Sequence, residues 1–171
     1  MKKWWRNLGI GLMAVALIYG WVWLEMYRTS QVYFDMAMAS YEKGEYGSAL
    51  KGMEMVGEDG QTELNGGFQQ VVDAWREPYA WPRPAIYSEA QKKADTIIEE
   101  KLTIEEGEAL FKSYFNRDNT YLSRIMLRVG EMYEERRDFR GAKETYKLVT
   151  EAFAMDKDVS GTAKARLSKL P

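Results

Sequence analysis

The chain of 171 residues contains no cysteine, no histidine and only four prolines. Without cysteine there is no disulfide, no thiolate nucleophile, no iron–sulfur cluster and no covalently attached haem. Without histidine the commonest metal ligand and the commonest neutral-pH acid/base are missing. A strong excess of either charge is also missing. Four of the 24 Lys and Arg and one of the 26 Asp and Glu precede Thr29, leaving 20 against 25 beyond it with the signs interspersed. No basic face invites nucleic acid. These absences lead us to expect no enzyme, no catalytic residues, no cofactor, no metal and no small-molecule substrate.

What is present begins with seventeen uncharged residues, Leu8 to Leu24, behind Lys2, Lys3 and Arg6 and flanked by Trp4, Trp5, Trp21 and Trp23. At about 1.5 Å per residue the eighteen positions between Arg6 and Glu25 span about 27 Å, close to one bilayer core. Paired tryptophans belong at headgroup level, and three leading cations predict a cytoplasmic N-terminus. The flank Tyr19-Gly20-Trp21-Val22-Trp23-Leu24 has no A-x-A-like cleavage site, so the segment is expected to stay as an anchor. We therefore expect a stub and transmembrane helix over residues 1–28, in contact with lipid through residues 5–27, and an extracytoplasmic domain over 29–171. Within the span, Ala16 and Gly20 form a small-residue face for another membrane helix.

Beyond the anchor the pattern predicts helices. No Pro or Gly interrupts Trp21 to Lys43, so the span can continue as one rod, the alternative being a new helix capped at Thr29 or Ser30. Glu45 to Val56 reads as the next helix and Gly57 to Gly60 as a turn. Leu64, Phe68, Val71, Val72 and Trp75 make a helical stripe over Thr62 to Glu77, despite Gly66-Gly67. Three of the four prolines fall in the irregular segment 78–87. Ser88 with Gln91, and Thr103 with Glu106, have capping-box spacing. Helices are expected over Tyr121 to Arg137, Asp138 to Ala154 and about Ser160 to Leu170, and no alternating strand pattern is evident.

Two stretches resemble tetratricopeptide repeats, helical hairpins of 34 residues with small and aromatic residues at fixed offsets. In one, Met126, Val129, Gly130 and Tyr133 precede Phe139, Ala142, Tyr146 and Val149, with Arg137 where the family usually has a turn glycine. The other has Tyr33, Met36, Ala37, Gly44, Tyr46, Ala49, Met53 and Val56. The resemblance implies an all-α fold, one transmembrane helix followed by a repeat-like hairpin domain. Ala37, Gly44, Ala49, Gly130, Tyr133, Ala142 and Tyr146 would serve its packing, with small residues where helices cross closely. The layout is similar to that of bacterial anchored repeat proteins such as the ancillary subunit of the Sec translocon.

Other features have plain explanations. Gly107-Glu108-Ala109-Leu110-Phe111-Lys112 resembles the opening of a cytochrome c helix, but no Cys or His follows, leaving an amphipathic helix. Met36, Met38, Met53 and Met55 are expected to fill core gaps. Glu99-Glu100 and Glu105-Glu106 diverge on a helix and make no acid/base pair. Trp75, Tyr79, Trp81, Arg83 and Tyr87 combine rigid aromatics with arginine, the composition of a partner-binding surface. The alternative is that these aromatics fold back to fill the domain. The functional expectation is a membrane-anchored interaction module, an accessory or assembly subunit of a bacterial inner-membrane complex with a periplasmic domain. The alternative expectation is a periplasmic chaperone-like factor for exported or unfolded chains.

Overall fold

The computed structural model describes residues 2–56 and 62–171. Among them the chain is predominantly helical: α1 (Lys2–Glu42), α2 (Tyr46–Lys51), α3 (Phe68–Arg76), α4 (Ala85–Thr96), α5 (Ile104–Tyr114), α6 (Leu122–Glu135), α7 (Phe139–Ala152) and α8 (Lys157–Leu167). It also contains one hairpin of β1 (Met53–Val56) and β2 (Thr62–Asn65). Two compact units divide at Lys93/Ala94, so residues 29–93 fold with α1 rather than with the C-terminal helices.

The first unit is built on α1, which runs unbroken through Thr29 and Ser30. Its 41 residues make a rod of about 60 Å at 1.5 Å per residue. The upper half turns one face inward. Trp23, Ser30 and Ala37 recur every seven residues, as do Tyr27, Phe34 and Tyr41, which keeps both sets on one stripe. Phe68 of α3 meets Phe34 edge to face at 5.4 Å and Tyr41 at 6.3 Å. Trp75 meets Trp23 at 5.4 Å and donates from Nε1 to the buried Ser30 Oγ at 2.9 Å. The lower half carries exposed Ile10, Leu12, Met13, Val15, Leu17 and Ile18.

The hairpin corrects two expectations. The helix predicted over Glu45 to Val56 stops at Lys51, because Gly52 takes φ +97°, where a side chain would also meet the Asn65 carbonyl oxygen at 2.9 Å. Met53 to Val56 then pairs antiparallel with Thr62 to Asn65, Met53 opposite Asn65 and Val56 opposite Thr62. The helix predicted from Thr62 therefore begins only at Phe68. Gly67 is required there, since a Cβ would fall 2.4 Å from the Gly52 nitrogen. The turn expected at 57–60 lies outside the described residues. Phe68, Val71, Val72 and Trp75 are buried as the stripe requires. A third correction concerns α4, which starts at Ala85 and not at Ser88; the Ser88 hydroxyl donates back to the Ala85 carbonyl at 2.8 Å.

The second unit stacks α5, α6, α7 and α8, each against the next. A π turn over Ile97–Lys101 follows directly on α4, and the Leu102 amide closes it on the Ile97 carbonyl at 3.0 Å. The capping box at Thr103 forms as expected: Thr103 Oγ1 accepts from the Glu106 amide at 3.2 Å, and Glu106 Oε2 from the Thr103 amide at 2.9 Å. Gly107 lets α5 approach α6, where a Cβ would sit 2.4 Å from Val129 Cγ2. The later helices agree with the periodicity to within a few residues. Asp138 caps α7 and Asp156 caps α8, each accepting from an amide three residues on.

Candidate functional site

The segment 78–87 lies against the lower part of α1's inward face. Tyr19 Oη donates to the carbonyls of Tyr79, at 2.8 Å, and Trp81. Trp23 Nε1 donates to the Pro82 carbonyl at 2.9 Å, and the Ala80 amide closes a turn on the Glu77 carbonyl at 3.0 Å. Arg83 bonds back to α3: Nε donates to the Trp75 carbonyl at 2.9 Å and a terminal nitrogen to the Arg76 carbonyl at 2.7 Å. Its guanidinium also lies 5.0 Å from the centroid of Tyr87. The loop is thus fastened through its carbonyls and the Arg83 side chain, with Ala80 buried and Tyr79 and Trp81 outside.

The five aromatic-and-arginine candidates therefore separate. Trp75 is wholly buried and belongs to the core, while Arg83 staples the loop and Tyr87, half-buried, sits in the first turn of α4. Tyr79 and Trp81 face outward at 75% and 72% exposure. Of the residues that position the loop, Tyr19 was not singled out in the sequence, and Trp23 was read only as a headgroup-level tryptophan. Their four-residue spacing on one helix face was the available signal. Nearby, a groove of about 420 Å³ runs between Ala74 of α3 and the stretch of α1 from Trp21 to Tyr33, with Glu25 on its lining. Gly20 has open space around it and Ala16 is exposed, so that small-residue face is uncovered.

In the second unit the repeat-like residues pack together. Ala142 and Tyr146 are buried, and a Cβ on Gly130 would lie 2.4 Å from Tyr146 Cε1. Tyr133 covers Gly141 in the same way, at 2.7 Å. In the first unit Ala37 and Ala49 are fully buried, and Gly44 takes φ +80° in the turn after α1. Arg137 adopts φ +61°, the left-handed conformation that suits a glycine at that turn.

Carboxylates hold this second unit from outside. Tyr133 donates to Glu108 at 2.6 Å, and this bond, helped by desolvation, pushes the phenol up to about 12. Tyr146 donates to Glu134 at 2.8 Å, and burial first and Glu134 second drive its pKa upward. Arg166 of α8 reaches Glu131 at 2.7 Å and Glu134 at 3.4 Å. Arg124 joins Asp95 at 2.8 Å and Glu99 at 3.2 Å. Between α5 and α7 lie two adjoining hollows of about 240 and 570 Å³. They share Phe111, Glu144 and Leu148, an apolar floor with a charged rim. Among the described residues no three of Asp, Glu, His and Cys converge.

These features define a predominantly helical protein with one N-terminal helix long and apolar enough to cross a membrane. No known protein family matches the chain, and neither a curated protein nor a solved structure does.

Proposed function

We propose that the protein is a non-catalytic, single-pass membrane protein whose repeat-like helical part, 29–171, binds other proteins, as an accessory or assembly subunit of a bacterial inner-membrane complex. The observation that carries this reading is the division of labour within α1. Its lower half exposes aliphatic side chains all round, and its upper half is the spine on which α3 packs. A rod shared in this way fixes the folded unit at the membrane surface instead of tethering it loosely. The N-terminal cations support a cytoplasmic start and a periplasmic C-terminal part.

Two surfaces support partner binding. The uncovered Ala16 and Gly20 face suits close packing by a partner's membrane helix. The channel between α5 and α7, with Phe111 and Leu148 on its floor, suits a helix or extended segment. The hairpin α6–α7, with Gly130 pressed on Tyr146, supports the tetratricopeptide reading, in which such grooves face partners.

Purification of the full-length protein in mild detergent tests this function. One stoichiometric integral-membrane partner is expected. Recovery of the protein alone as a monomer refutes the subunit role, and recovery of many substoichiometric unfolded clients replaces it with a chaperone role.

A further inference from the structure

We infer that the loop 78–83 is a second membrane contact, an aromatic foot that places Tyr79 and Trp81 in the interfacial layer beside the point where α1 leaves the bilayer. The inference rests on the membrane-spanning reading of α1 proposed above. On that reading Glu25, the first charge after the apolar run, marks the outer edge of the span. Tyr19 and Trp23 precede Glu25 by six and two residues, about 9 and 3 Å deeper along the helix. The carbonyls bonded to these two side chains, from Tyr79, Trp81 and Pro82, must share that depth. The loop is therefore held beside the last uncharged turns of the span, not above them.

Irregular backbone at such a depth requires its polar groups to be satisfied within the protein. This loop meets part of that requirement, chiefly at its carbonyls. Pro78 and Pro82 have no amide hydrogen, the Ala80 amide is bonded to Glu77, and three carbonyls accept from donors on α1. Arg83, the only cation in the loop, is exposed but engaged by the carbonyls of Trp75 and Arg76. The large rings that face outward are a tyrosine and a tryptophan, amphipathic groups suited to the boundary between acyl chains and headgroups. In water the same arrangement would expose two large rings for no gain. Beside an apolar rod it extends the lipid-facing surface continuously from α1.

The absence of cysteine makes the test direct. Single variants Tyr79→Cys, Trp81→Cys, Leu17→Cys and Val32→Cys of the full chain all alter exposed side chains, and circular dichroism checks that each remains folded. Each is labelled with an environment-sensitive fluorophore and reconstituted into phosphatidylcholine–phosphatidylglycerol vesicles containing shallow nitroxide lipids. The inference expects blue-shifted emission and strong quenching at 79 and 81, comparable with Leu17→Cys, and neither at Val32→Cys. Water-like emission at 79 and 81 with lipid-like emission at 17 overturns the foot while leaving the anchor intact. Water-like emission at 17 overturns the anchor and the foot with it.

Discussion

Arg137 shows how a single residue departs from the pattern around it. The turn between α6 and α7 needs a left-handed residue, and at φ +61° arginine bears a cost of about 1–2 kcal/mol that glycine avoids. Glycine loses about 0.5–1 kcal/mol of that gain through the greater freedom of its unfolded chain. Arg137→Gly is therefore expected to stabilise the second unit by about 0.5–1 kcal/mol, measured by denaturant titration. A loss of stability would mean that the arginine side chain contributes more than its backbone costs. The conformation was legible in the sequence only through the resemblance, since nothing about Arg-Asp by itself asks for a positive φ. Gly130 and Gly107 differ in this respect. Their small size was visible, but which side chain fills the space above each depended on the neighbouring helix.

Among the elements, α1 and α3 are joined by a buried hydrogen bond and by aromatic packing. Ser30 is a poor helix former at mid-helix, yet it lies two turns from Trp23 and gives buried Trp75 its hydrogen-bond acceptor. Ser30→Ala should improve helix propensity slightly but leave the indole N–H unsatisfied, a net loss of about 1–2 kcal/mol. Thermal unfolding monitored by tryptophan fluorescence would detect it, and an unchanged midpoint would show that the bond is dispensable. The β-hairpin was the element least legible in the sequence. Its strands are four residues long, too short for alternation to stand out, and Leu64 falls four residues before Phe68, so it joins the helical stripe by coincidence. Gly66-Gly67, the apparent flaw in that helix, is the joint at which strand becomes helix.

For the molecule as a whole, the division at Lys93/Ala94 changes what a truncation should do. A fragment beginning at residue 29 lacks Trp23 and Tyr27, which pack on each other at 5.4 Å and, through Trp23, on Trp75. Half-exposed Trp23 is worth less than the 3–5 kcal/mol of a fully buried aromatic, so its loss should cost the first unit about 2 kcal/mol. Comparing fragments 29–171 and 21–171 by calorimetry should reveal a lower first transition in the shorter one. A second transition at the same temperature in both is expected, because α5 to α8 build their own core. Equal first transitions would mean that the lower aromatics are not part of the fold.

The sequence by itself determined the apolar span, the capped start at Thr103 and the residues that α6 and α7 turn inward, while the continuity of α1 through Ser30 and the Asp156 cap of α8 came from the structure. The first three follow from local causes: hydrophobic period and side-chain caps act within a few turns. The absence of Cys and His likewise removed whole classes of chemistry before any fold was considered. Only the tertiary structure decided between the two roles open to Trp75, placing it in the core, and turned Tyr79 and Trp81 outward. It also decided that the proline loop folds down along α1. Residues about sixty positions apart make those hydrogen bonds, and an irregular segment with few amide donors takes its shape from whatever distant surface satisfies its carbonyls.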